Sequence, residues 1–144
     1  MPAKPNVEPL DLEATFEDEN LEARSLITRT DKRGIVTFAS KAYREMTKYS
    51  KEELVGKPHS IVRHPDMPAA AFKQMWDTIK ENKVWEGYVK NLRKDGKYYW
   101  VIVRIEPLYD DDGNKIGYTA IRKEPDRETI LKMEQKYKEM LENE

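Results

Sequence analysis

The chain has no cysteine. That excludes disulfides, thiolate metal ligands and thiol chemistry. Only two histidines occur in 144 residues, His59 and His64. With Asp66 they form no recognised metal-ligand spacing. No apolar run approaches the roughly twenty residues of a membrane span. The N-terminus lacks a basic segment followed by an apolar one, so no secretory leader is expected. There is no glycine-rich phosphate loop, which excludes the Rossmann and P-loop modes of nucleotide binding. No nucleophile sits beside a base in an elbow motif, and no catalytic constellation emerges, so an enzyme is not expected. An excess of one charge is missing too. The formal net charge is −1, with no basic stripe interleaved with aromatics, so nucleic acid is not an expected partner.

What is present fits one domain. Hydrophobic residues make up 38% and charged residues 37%, but much of the charge lies in the two tails, which leaves the middle able to build a core. Residues 1–22 read as an acidic, proline-bearing arm with a short helix over Leu10 to Phe16. Residues 23–124 carry the pattern of a folded domain. Two short β-type runs, Leu26 to Arg29 and Ile35 to Ala39, flank the turn residues Thr30-Asp31-Lys32-Arg33-Gly34, which makes them a hairpin. Ser40 offers an N-cap, and Ser50-Lys51-Glu52-Glu53 is a capping box. Gly56 and Pro58 stop that turn. Asp66 is placed to cap a helix in which Phe72, Met75, Trp76 and Ile79 form one apolar face. Three strands follow, Trp85 to Arg93, Tyr98 to Leu108 and Ile116 to Lys123. A two-residue Asp95-Gly96 turn joins the first two, and Asp111 to Asn114 joins the second pair. Residues 125–144 read as a helix with a weak seam of Ile130, Met133, Tyr137 and Met140, which packs in a homodimer or against the chain's own sheet. The expected class is α+β: a five-stranded antiparallel sheet, helices over one face, and a C-terminal linker helix. A pocket would form between sheet and helices.

The stretch Lys57 to Pro68 has the densest chemistry. It holds three prolines, both histidines, an arginine and an aspartate in twelve positions. Pro65 and Pro68 restrict their predecessors to extended geometry, so Arg63, His64 and Asp66 are held before any ligand arrives. Arg63 has Asp66 as its one local acidic partner; it either pairs with it or binds a ligand. Strand alternation puts Trp85, Gly87, Val89 and Asn91 on one face. An aromatic ring, a gap and an amide beside the apolar row Tyr99, Val101, Val103 and Ile105 suit a flat heteroaromatic ligand.

Gly56-Lys57-Pro58-His59, Val62 to Pro68, Ala71-Phe72, Met75-Trp76, Trp85-Glu86-Gly87, Val89-Lys90-Asn91 and Tyr99-Trp100-Val101 resemble the PAS domain of bacterial aerotaxis receptors. The likeness covers roughly Thr30 to Lys123. It implies a PAS fold and non-covalent FAD. The FAD-binding positions it implies are Arg63, His64, Asp66 and Trp85, with Asn91 and His59. Asn91 also falls where light-oxygen-voltage flavin domains carry a flavin-contacting asparagine; without cysteine, their photoadduct is excluded. The resemblance further implies redox or oxygen sensing relayed to a chemotaxis-type signalling domain, in the same receptor or a partner receptor. The setting would be cytoplasmic, as a free domain or part of a membrane-associated receptor. A ligand-free dimerising adaptor, or a haem-binding gas sensor using His59 or His64, are the alternatives.

Overall fold

Three hairpin turns built on one plan order the sheet. The structure is a computed structural model and describes residues 7–144. Strands β1 (Leu26–Asp31) and β2 (Val36–Ala39) are joined where the Asp31 N–H donates to Ile35 O at 2.9 Å and the Gly34 N–H to Asp31 O at 3.1 Å. Strands β3 (Trp85–Leu92) and β4 (Tyr98–Tyr109) close in the same way through Arg93, Gly96 and Lys97, and β4 and β5 (Lys115–Lys123) through Asp110, Gly113 and Asn114. Each loop has three residues and ends on a left-handed glycine, with φ of 86°, 94° and 82° at Gly34, Gly96 and Gly113. The two-residue turn expected at Asp95-Gly96 is thus a three-residue loop. Asp95 explains the difference: its carboxylate accepts the Lys97 N–H at 3.1 Å and binds the Arg93 guanidinium, so Arg93 and Lys97 pair across the loop.

The strands are all antiparallel, in the order β2-β1-β5-β4-β3. Strand alternation gives the sheet two faces. Leu26, Thr28 and Thr30 of β1 oppose Arg122, Ala120 and Tyr118 of β5 on the inner face, and Val89 and Asn91 of β3 oppose Val101 and Tyr99 of β4. Helix α1 (Lys41–Thr47) follows its expected cap, Ser40 Oγ, which accepts the Tyr43 N–H. Helix α2 (Lys51–Leu54) carries the complete Ser50/Glu53 capping box. A 3-10 turn over His59–Val62 leads to helix α3 (Ala69–Lys80). Asp66 does not cap α3. Pro68 holds the N-cap position without a side-chain bond, and the Asp66 carboxylate is taken by Lys90 at 2.8 Å. Asn82, in the left-handed region at φ 64°, follows the end of α3.

Helix α4 (Arg127–Glu142) is capped by Asp126 and lies on the outer face. Its seam packs against the chain's own sheet. The Tyr137 ring stacks on Trp100 at 6.2 Å, and its hydroxyl donates to Tyr88 O at 2.6 Å. Ile130 is buried in the same layer. The described part of the N-terminal arm, residues 7–22, is packed against the domain; its first six residues lie outside the description. Ala14, Phe16 and Leu21 are buried, and Glu13 bridges to Tyr98. The helix expected over Leu10 to Phe16 does not form. The Leu10 and Ala14 N–H groups donate instead to Gly96 O and Tyr98 O, and inward-facing Ala14 and Phe16 follow the two-residue period of extended chain.

Candidate functional site

Between α3, the 58–63 stretch and the inner face of the sheet lies a cavity of ≈ 320 Å³. The apolar face of α3 forms one wall, with Phe72, Met75, Trp76 and Ile79 all lining it. Val89, Val103, Ile105 and Ala120 line the sheet side. Trp76 meets Tyr118 edge-on at 5.9 Å and sits against Gly34, where a Cβ would come within 3.1 Å of the indole. The polar lining includes Arg33, His59, Arg63, Asn91 and Arg122, and no carboxylate.

Arg63 is the unsatisfied group. Its backbone pairs with Asn91 in an isolated antiparallel bridge, which brings the guanidinium over the Phe72 ring at 4.4 Å. Its Nε and one terminal nitrogen are buried without a hydrogen-bond partner among the described residues. These two donors form the edge that grips a paired acceptor. Leaving charged donors unmet in a buried site costs on the order of a few kcal/mol. An acceptor entering the cavity would recover that. Asn91 is buried and lines the same wall, beside the buried Tyr99 hydroxyl, whose pKa burial pushes well up.

The opposite side carries a second, satisfied cation. Arg122 is buried with neutral partners: it donates to Thr28 Oγ1 at 3.1 Å and to His59 Nε2 at 2.6 Å, and lies over the Tyr43 ring at 4.8 Å. His59 is therefore the acceptor tautomer at Nε2. Its remaining exposed edge lines the cavity. Burial, reinforced by the neighbouring guanidinium, pushes its pKa down to about 3, so it stays neutral.

Of the six residues singled out in the sequence, the structure brings His59, Arg63 and Asn91 to the cavity. Trp85 is buried on the same sheet face but is not in the cavity wall; its indole lies over Gly87, where a Cβ would fall 2.5 Å from the ring. His64 and Asp66 lie on the other side of the β3 edge. His64 Nδ1 accepts the Asp66 N–H at 3.0 Å, its ring meets Tyr98 edge-on at 6.3 Å, and Asp66 pairs with Lys90. Extended chain alternates sides, so Arg63 facing in turns His64 out. Burial and the nearby Lys90 push the His64 pKa down to about 4, against an opposing pull from Asp66. Sequence reading missed Arg122. The signal was available: Tyr118, Ala120 and Arg122 alternate onto one face, and a charge in an inward register calls for a partner.

Residues 36–122 match the model of the PAS fold, and the chain belongs to that family. Within it, the chain is 41% identical over 114 residues to the aerotaxis receptor of Escherichia coli strain K12, an alignment covering 79% of this chain and 22% of the receptor. It is 31% identical over 94 residues to phototropin-2 of Oryza sativa subsp. japonica, covering 65% of this chain and 10% of that protein. The chain thus spans about a fifth and a tenth of these relatives. Among solved structures, it superposes on a light-oxygen-voltage domain studied with a flavin analogue, with a TM-score of 0.68 at 21% identity over 79% of this chain and 89% of that one. The light state of the light-oxygen-voltage domain of the photoreceptor Aureochrome1 gives 0.66 at 19% identity, over 84% and 97%.

Proposed function

We propose that the chain is a flavin-binding sensor module. FAD is its cofactor, and its redox or oxygen state is the signal passed to a chemotaxis-type signalling domain. The observation that carries this reading is the pair of unmet Arg63 donors at the wall of a largely apolar cavity that Asn91 also lines. Apolar walls suit the faces of an isoalloxazine ring. Arg63 and Asn91 suit its carbonyl edge, or Arg63 a phosphate. His59 and Arg122 would border the ring from the far side, keeping that border cationic. Bound flavin supplies electron-transfer chemistry; the chain's residues bind, orient and shield it. The likeness to the aerotaxis receptor supports the signalling role, with the receiving domain in the same receptor or a partner receptor, in a cytoplasmic setting. Among the described residues, no helix is long and apolar enough to cross a membrane. A haem role is less well supported, since His59 Nε2 is engaged by Arg122 and His64 lies off the cavity.

The visible spectrum of the purified protein, as isolated and after incubation with excess FAD, tests the reading. Two flavin bands, in the blue and near-ultraviolet, are expected, and chromatography of the heat-released cofactor should give FAD rather than FMN. A Soret band, or a featureless spectrum after incubation, refutes it.

A further inference from the structure

Arg63 needs something to hold it. Between the 3-10 turn and α3, residues 63–68 have no regular structure of their own, yet an unpaired guanidinium must be kept at a buried wall. The fastenings of this segment converge on two adjacent residues of β3, Lys90 and Asn91. The Lys90 ammonium donates to Asp66 Oδ2 at 2.8 Å, and the Lys90 N–H donates to Met67 Sδ at 3.4 Å. The same ammonium lies 4.3 Å from the centroid of the Tyr98 ring, against which His64 packs from the side. Lys90 directly precedes Asn91, whose backbone pairs with Arg63. Its side chain points to the outer face and does not line the cavity.

We propose that Lys90 is a positioning residue for the cavity: through Asp66 and the His64 turn it pins the segment that presents Arg63 to the ligand. This rests on the flavin reading above and assigns His64 and Asp66 a different part from ligand contact. They act from behind the strand. Three features favour the pairing of Lys90 with Asp66, whose own side chain is 60% exposed. The Lys90 side chain is only 13% exposed, the ring beneath it favours its charge, and neutral His64 leaves Asp66 to the lysine. The His64 Nδ1 bond to the Asp66 N–H fixes the turn, so a pull on the Asp66 carboxylate is transmitted to the backbone next to Arg63.

A double-mutant cycle on the full chain tests this, with FAD titrated into apo-protein. Lys90→Met and Asp66→Asn should each weaken FAD binding about tenfold, the size found when partners that orient a binding group are removed. The double variant should bind within about threefold of either single one, because both changes remove one contact. Lys90→Arg should bind like the parent. A second readout needs no ligand. In apo-protein the 15N-edited signal of the Arg63 Nε–H should be protected from solvent exchange, and Lys90→Met should abolish that protection while the melting temperature holds. Full FAD affinity in Lys90→Met, or losses that multiply in the double variant, overturns the proposal. If the parent binds no FAD, the flavin reading falls, and the exchange of the Arg63 proton alone decides the role of Lys90.

Discussion

Acidification should expose the His59–Arg122 contact as a stability element. Protonating His59 would set a second cation 2.6 Å from a buried guanidinium and remove the lone pair that accepts its N–H. The folded-state pKa is therefore near 3, against 6.5 in an open chain. A histidine whose folded pKa is depressed stabilises the fold above its unfolded value. That contribution is lost as pH falls from about 6.5 towards 3. At pH 5 the unfolded chain holds nearly a full proton at this site and the folded chain almost none. Between pH 7 and pH 5 the protein should lose about 2 kcal/mol through His59 alone. His64, depressed to about 4, acts in the same direction. Carboxylates contribute little in this window: Asp95 is held below its ordinary value by Arg93, and Glu53 by Lys94. Urea unfolding of apo-protein at the two pH values is the assay. His59→Gln keeps an acceptor for Arg122 but cannot titrate. Its loss between pH 7 and pH 5 should be smaller than the parent's by about 2 kcal/mol. An equal loss in parent and variant would refute the assignment of His59 as the neutral partner of Arg122.

Two further outcomes follow from the packing on either face of the sheet. Tyr137→Phe removes the 2.6 Å bond to Tyr88 O and should cost about 1 kcal/mol, whereas Tyr137→Ala also uncovers Trp100 and should cost about 3–5 kcal/mol; limited proteolysis within α4 would report the undocking, and an uncleaved alanine variant would argue against it. Gly87→Ala places a methyl 2.5 Å from the Trp85 indole, so the ring must leave its position; the shift should appear in the emission of a variant retaining Trp85 as its sole tryptophan, and an unchanged emission would refute the close approach.

Local features were legible in the sequence because they are fixed within a few residues. Ser40 and Ser50 satisfy helix N–H groups three positions away. Left-handed Gly34, Gly96 and Gly113 close the hairpins wherever a turn cluster separates two alternating runs. The 3.6-residue period of Phe72, Met75, Trp76 and Ile79 marks the face that became the cavity wall. Which ionisable groups share the cavity was decided by tertiary structure. His59 meets Arg122 across 63 positions of chain, and the pairing of β5 with β1 sets Arg122 beside Leu26 and Thr28. A single backbone bridge between Arg63 and Asn91 sends Arg63 to the inside and His64 to the outside, although both look equally placed in the sequence. The arm and α4 tell the same story: their patterns name an apolar face, but the surface that buries it belongs to β3 and β4. Hydrogen bonding and allowed backbone angles act over a few residues and can be read along a chain. Charge placement and the burial of whole faces depend on register between distant segments, which sequence order alone does not contain.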